Sequence, residues 1–420
     1  MDKDKFDIEI PNVESKEKGS SFGAYFNIVC AVAGTGTLGL PYAIKIGGWL
    51  SMLIFLLVGV LAIYTSKLLI ECLYYKPGHR LDHFADIGEV SFGKFGKYFI
   101  LLFNSLILLL CSSIYILLTG INVRTLVTQF YGEQVLSDQL YILICGIGII
   151  IPCIFCKTLK EVALLALFGT LATVVLVICV IILGGIQYSH PDFTPSEHTL
   201  FDLSGFPIAL VTITFSYGGN VVYPQVEATM RNPKAWNKVM VLSVLTITLL
   251  YSLISGISYF YYGNLVTSPI LDSLPPVAGT QVCYIMITIH VILATPIYMC
   301  TFCYEQEMAL KIDTKHMSKK KELVYRTILR SFVGTILILI AMYIPFFEDL
   351  TALVGSITDC VIIYLVPLAC HYKLFGWRGR KWYEYILSVL TVIVGLTGLI
   401  LGTKDAVLNL IDDFQGIKNK

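Results

Sequence analysis

The decapeptide GTGTLGLPYA, residues 34–43, lies inside the first long apolar segment of the chain. Glycine costs about 1 kcal/mol in a helix interior and proline about 3. In lipid, each backbone group freed from the helix costs several kcal/mol more unless protein or water satisfies it. Glycines spaced for close helix packing would be one explanation. On a regular helix, however, Gly34 points away from Gly36 and Gly39, so the three share no face. The segment reads as a broken helix.

The rest of the chain places that break in a membrane. Of 420 residues, 56% are hydrophobic and 14% charged, with a mean hydropathy of +0.75. Soluble domains average about 45–50% apolar and about 25% charged residues. A net charge of +1 points to no nucleic-acid partner. The apolar excess falls in blocks of about 20 residues, the length that crosses a ~30 Å hydrocarbon core. Eleven such segments are expected, at about 22–44, 47–73, 98–123, 140–155, 162–186, 206–230, 239–262, 282–310, 324–345, 350–372 and 383–402. The fold class is therefore an all-α polytopic membrane protein with a transmembrane domain over 21–403. Residues 1–20 carry charges of both signs and read as a short soluble tail, not a signal peptide; 404–420 form a second tail.

Basic residues test the count. The second, fourth, sixth, eighth and tenth connections, with the start of the ninth span, hold twenty Lys and Arg. The opposite loops hold almost none, Lys45 and Arg124 being the exceptions. This alternation puts the N-terminus and the basic loops in the cytosol and the C-terminus in a lumen or outside. Within the second connection, Leu81, Phe84, Ile87 and Val90 have helical spacing, which suggests an amphipathic helix lying on the cytoplasmic face.

The sixth span repeats the glycine–proline signal. FSYGGNVVYPQVEA, residues 215–228, has Gly218 and Gly219, then Pro224. Gly36 and Pro41 stand five residues apart, as do Gly219 and Pro224. Spans one and six lie five spans apart and enter from opposite sides. Two five-span halves, about 22–186 and 206–372, then form an inverted repeat, followed by an extra helix. A broken helix in the same place of each half points to a transporter binding site. Freed N–H groups suit a carboxylate, and freed carbonyls suit an ammonium group or a cation. A zwitterionic amino acid carries both. Thr35, Thr37, Ser216, Tyr217 and Asn220 add side-chain donors and acceptors beside the breaks.

GTGTLGLPYAIKIGGW (34–49), YTSKLLIECLY (64–74) and FSYGGNVVYPQVEATMRNP (215–233) resemble the amino acid/auxin permease family over nearly the whole chain after the tail. LGLPYAIKIGG and YTSKLLIECLY are most similar to its vacuolar and vesicular branch, the vesicular inhibitory amino acid transporter among them. The resemblance implies a LeuT-like fold of ten core helices plus one, amino acid transport, proton coupling, and a vacuolar or vesicular membrane. It places the substrate site on Gly34, Thr35, Gly36, Thr37 and Gly39, and on Ser216, Tyr217, Gly218, Gly219 and Asn220. One departure stands out. Some lysosomal relatives carry a proton-linked His about seven residues before the first glycine; here that position is Asn27.

Ionisable groups inside a membrane are functional candidates, because burying them is expensive. Asp359 is the deepest acid; Glu227 follows the second break, and His290 and Glu305 lie in span eight. Glu227 and Glu305 approach the basic ends, near Arg231 and Lys311, so both also read as gate salt bridges. A sodium site remains open, built from carbonyls of the first break with Thr288 and Thr295 of span eight. No cofactor and no metal are expected. The twelve cysteines, including the pairs Cys153/Cys156 and Cys300/Cys303, lack zinc-site companions and read as packing residues.

A proton-coupled transporter of small neutral amino acids is the leading expectation, with the substrate and the bilayer as its partners. A sodium-coupled symporter and a non-transporting amino acid sensor are the alternatives. An enzyme is not expected, because no cluster has nucleophile–base spacing.

Overall fold

The computed structural model describes residues 19–76, 78–155, 162–194, 196–312 and 316–418. Most of the N-terminal tail, Cys156, Lys157 and Lys160 lie outside the described residues. The architecture is all-helical, with two isolated bridges the only β pairing among the described residues. In chain order the helices are α1 Ser21–Val32, α2 Gly36–Gly47, α3 Ser51–Leu73, α4 Phe84–Tyr131, α5 Asp138–Phe155, α6 Val162–Tyr188, α7 Phe206–Ser216 and α8 Tyr223–Thr229. They continue as α9 Trp236–Tyr262, α10 Ala278–Ala309, α11 Lys319–Tyr343, α12 Phe347–Val354, α13 Val366–Phe375, α14 Trp382–Thr397 and α15 Thr403–Lys418.

Eight described helical runs are long and apolar enough to cross a membrane, and the bent pair α1–α2, taken as one span, makes nine. α5 and α7 are shorter apolar helices, standing where the fourth and sixth spans are expected. Between α12 and α13, Gly355–Leu365 is wound as a π-helix, wider than an α-helix. Such windings are rare and often mark functional sites.

The helices turn apolar stripes outward. On α6, Phe168, Leu171, Val175, Ile178 and Ile182 are exposed at helical spacing, while Thr170 and Thr173 are buried. Lipid tails are as apolar as leucine, so aliphatic side chains lose little by facing them. The interior instead collects small and hydrogen-bonding groups that let helices approach.

The two halves run in opposite directions. At one face, the Arg231 N–H donates to the Gly19 carbonyl and the Gly19 N–H to the Thr229 carbonyl, so α1 begins where α8 ends. At the other face, the Trp49 N–H donates to the Thr199 carbonyl and Lys45 Nζ to the Val266 carbonyl. There α2 ends, α7 begins and α9 ends.

Three sequence expectations need correction. The first break is narrower than GTGTLGLPYA suggests. α1 stops at Val32, Ala33 leaves helical geometry (φ −79°, ψ 54°), and α2 resumes at Gly36 with a bend of 52°. Thr37, Gly39 and Pro41 therefore sit inside a regular helix. The supposed surface helix is also no lipid-facing element: Leu81, Phe84 and Ile87 are buried in the core, and α4 continues through a kink at Gly93 into the third span. Residues 404–418 continue the last span as α15, which packs against α12.

Candidate substrate-binding site

The two breaks meet. A Cβ added to Gly36 would lie 2.7 Å from the Ser216 Cα, so only glycine lets α2 lie against the end of α7. Around this contact the freed backbone is satisfied by side chains from neighbouring spans, as a non-aqueous interior demands. The Tyr298 hydroxyl donates to the Ala31 carbonyl at 3.0 Å, and Thr173 to the Ala33 carbonyl at 2.9 Å. The Tyr251 hydroxyl lies 2.8 Å from the Val32 carbonyl and 2.6 Å from the Ser216 carbonyl, one on each broken helix. Leaving a buried acceptor unsatisfied costs about 1–3 kcal/mol. Tyr251→Phe is therefore expected to lower the thermal midpoint of the detergent-purified protein and to slow transport about tenfold; an unchanged midpoint would show that the two carbonyls find other donors.

In the second break, α7 ends at Ser216 and α8 starts at Tyr223. Pro224 stands in the first turn of α8, where its missing N–H is not needed. The equal glycine-to-proline spacings thus fall on different structural places: Pro41 is inside a helix and Pro224 opens one. Asn220 Nδ2 reaches back to the Ile362 and Ile363 carbonyls, 3.3 Å each, tying this break to the wide-wound segment.

Between the breaks is a cavity lined by Thr35, Gly36, Gly218, Gly219, Asn220 and Asp359, and by Tyr115 and Tyr298 from α4 and α10. Ala31, Val32, Ile107, Cys111, Phe215, Val221 and Ile362 supply an apolar wall. It encloses about 20 Å³ open to the centre of a water molecule. That is room for a water or two and for nothing as large as an amino acid.

The other expected site residues lie elsewhere. Gly34 is one layer behind, where a Cβ would stand 3.2 Å from His290 Nε2 and 3.3 Å from the Tyr115 hydroxyl. Gly39 borders a separate cavity near Tyr42 and Glu348. Thr37 is buried but does not border the central cavity. Ser216 donates to the Thr212 carbonyl, and the Tyr217 hydroxyl pairs with Thr248 at 2.7 Å.

The ionisable candidates separate as well. Asp359 borders the cavity, is 3% exposed, and its Oδ2 has no hydrogen-bond partner. Glu227, completely buried, does not pair with Arg231. It binds Arg80 Nε at 2.8 Å and accepts from the Tyr74 hydroxyl at 2.5 Å. Glu305 accepts from Asn104 at 3.0 Å, not from Lys311. His290 Nδ1 meets the Gly169 carbonyl at 3.0 Å, while Thr295 donates to the Val291 carbonyl of its own helix.

Tyr115, Tyr298 and Cys111 were not singled out from sequence. The available signal was a hydroxyl in otherwise aliphatic spans, but a tyrosine count of 25 hides the two that matter.

Two antiparallel halves with broken first helices meeting at an enclosed polar cavity define the LeuT-like fold. The crystal structure of MhsT in complex with L-phenylalanine superposes with a TM-score of 0.58, covering 94% of this chain and 99% of that one at 14% identity. Mhp1, a nucleobase-cation-symport-1 family transporter, gives a TM-score of 0.57 over 95% of this chain and 94% of that one at 12% identity. The family model for transmembrane amino acid transporter proteins matches residues 17–408, and the chain belongs to that family. It is 27% identical to amino acid transporter AVT1I of Arabidopsis thaliana, over 97% of this chain and 99% of that protein. It is 25% identical to the vesicular inhibitory amino acid transporter of Xenopus tropicalis, over 95% and 79%.

Proposed function

We propose that this multi-pass membrane protein is a proton-coupled secondary transporter of small neutral amino acids, with its basic loops in the cytosol, in a vacuolar or vesicular membrane. The observation that carries the reading is the cavity where the breaks meet. The N-terminal turn of α2 opens there, with Thr35 and Gly36 on its lining. The Thr37 and Leu38 N–H groups are taken by the Gly34 and Thr35 carbonyls, so the Thr35 and Gly36 N–H groups are the ones that suit a carboxylate. Once the helices part, the apolar wall of Ala31, Val32, Ile107 and Phe215 faces a small side chain. Opening and closing of the cavity toward alternate faces then carries the substrate across.

Proton coupling, in preference to sodium, is supported by the oxygens at the first break. The Ala31, Val32 and Ala33 carbonyls already accept hydrogen bonds from tyrosine and threonine hydroxyls. Fewer lone pairs remain there for a cation. The vesicular setting follows the name of one relative, the vesicular inhibitory amino acid transporter, and the vacuolar one follows the sequence resemblance.

Labelled amino acids offered to proteoliposomes of the purified protein test the reading. Uptake driven by an acidic interior and indifferent to sodium is expected. Uptake that requires a sodium gradient would replace the proton by sodium. Binding without uptake under either gradient would make the protein a sensor.

A further inference from the structure

At the face where α2 ends and α7 begins, two chambers open side by side. One, of about 240 Å³, lies among α2, α7, α12 and α15. The other, of about 280 Å³, lies among α4, α5, α12 and the loop before α10. Ser268, Glu348 and Asp413 border both. Each is far larger than the space of about 20 Å³ between the breaks, and together they reach the ~300–1,000 Å³ usual for small-molecule sites. Their charges differ. Asp349 and Asp412 line the first chamber beside Glu348 and Asp413, and no Lys, Arg or His borders it among the described residues. Lys45 acts on Glu348 from α2, but its ammonium group donates to the Val266 carbonyl at 2.9 Å. Asp349 is 6% exposed, and its Oδ2 is buried with no hydrogen-bond partner. What it faces is a second carboxylate, Asp413 of α15. Ser268 Oγ is likewise buried without a partner. The second chamber holds both signs: Arg124, paired with Asp138 at 2.8 Å, and Asp272, on which the Arg124 charge also acts. A buried carboxylate stays charged only when it is paired, and a cleft lined by one sign of charge concentrates the opposite ion. Among the described residues, no group of three or more His, Cys, Asp or Glu is arranged to hold a metal ion, so the cation that fits is an organic one.

We propose that the two chambers form a second binding site, separate from the central cavity, for a basic amino acid such as lysine. Its side-chain ammonium group enters the acidic chamber, where its three N–H donors meet Asp349, Asp413 and the Ser268 oxygen. In the second chamber its α-carboxylate takes Arg124 and its α-ammonium group takes Asp272. Phe346 and Phe347, which line that chamber next to Glu348, cover the methylene chain. A neutral amino acid fills the mixed chamber alone and leaves Asp349 Oδ2 without a donor, so the site selects by side-chain charge. The bound molecule spans α4, α5, α12 and α15 and ties them together at this face. This goes beyond the transport reading, since it concerns binding outside the breaks.

Equilibrium binding of labelled lysine to the full-length protein in detergent, with unlabelled competitors, tests this. Norleucine is lysine without the side-chain ammonium group. It is expected to displace lysine from the wild type about tenfold to a hundredfold more weakly than lysine itself, the worth of one charged hydrogen bond. Asp349→Asn and Asp413→Asn should each weaken lysine by a similar factor and narrow its lead over norleucine. Gly219→Leu, whose side chain fills the central cavity, should keep its lysine affinity within about twofold, as distant sites do. The proposal is overturned if norleucine competes as well as lysine, or if Gly219→Leu loses lysine, which would place the binding between the breaks. It is also overturned if sodium chloride displaces lysine as well as unlabelled lysine does, which would reduce the site to diffuse attraction of cations. Should a carboxylate variant fail to fold, the norleucine comparison in the wild type decides. A wild type that binds no lysine ends the proposal and leaves the transport reading as it stands.

Discussion

Gly36→Ala is expected to cut transport by about 5- to 150-fold, while Gly39→Ala leaves it within about twofold of wild type. The two glycines lie three residues apart in one motif, yet the structure treats them differently. At Gly36 a methyl group would lie 2.6–2.8 Å from Ser216, including its backbone Cα. Backbone cannot rotate away, so α2 and the end of α7 must separate. Overpacking of this kind costs about 1–3 kcal/mol, a 5- to 150-fold effect if it falls on one conformational state. At Gly39 the nearest atoms to an added methyl are 3.7–3.8 Å away, an ordinary contact. Alanine is also the better helix former, and Gly39 lies inside α2. Uptake assays at matched surface expression check both. Gly219→Leu extends the series: its side chain would meet Tyr223 and Val32 at 2.7 Å and fill the cavity, so binding should be lost while the protein still inserts. Equal sensitivity at Gly36 and Gly39 would return the break to the longer stretch the motif suggests.

Arg80→Met is expected to be strongly destabilising, and more harmful than Glu227→Met. Glu227 is completely buried on α8, and Arg80 reaches it from the loop between α3 and α4. Arg80 also donates to the Pro224 carbonyl at 2.5 Å. Breaking a buried ion pair costs about 3–5 kcal/mol, because one charge remains unpaired in a dry site. The asymmetry follows from exposure. The Arg80 side chain is 16% exposed and can turn toward solvent, whereas the Glu227 side chain is 0% exposed. The double Met variant should recover part of the loss, since replacing both partners by apolar groups is often neutral. Thermal midpoints of the three variants in detergent give the order. A double variant as unstable as Arg80→Met would mean that the hydrogen bonds to Pro224 and Tyr74, not the ion pair, hold this corner. The same clasp fixes α8 against the face where α1 begins, so the single variants should also raise accessibility of the cavity from that face.

Much of the architecture was legible in the chain. The apolar blocks, their alternating basic loops and the two glycine-rich interruptions led to a broken-helix membrane bundle, because lipid forbids an unsatisfied backbone and so makes every interruption meaningful. Thr35, Gly36, Gly218, Gly219 and Asn220 do border one cavity, since a break displays whatever residues stand in it. Gly39 and Thr37 were drawn into the same motif but lie in a continued helix, as proline at position 41 is tolerated inside α2. Glu227 was recognised as an ion-pair partner, though the nearest base in sequence, Arg231, is not the one it binds.

The sequence by itself determined that the chain crosses a membrane many times, in which order, and where two of the crossings are interrupted. These are properties of composition along the chain, and the bilayer reads composition directly. Only the tertiary structure decided which residues face one another: Tyr251 bridging both breaks, Tyr115 and Tyr298 closing the cavity, and Asp359 set against Gly218. In water, the apolar face of a helix announces its inward side. In lipid the outward side is equally apolar, so the facing of each helix is written in the fit between small residues and hydroxyls on different spans, and that fit exists only once the spans are packed.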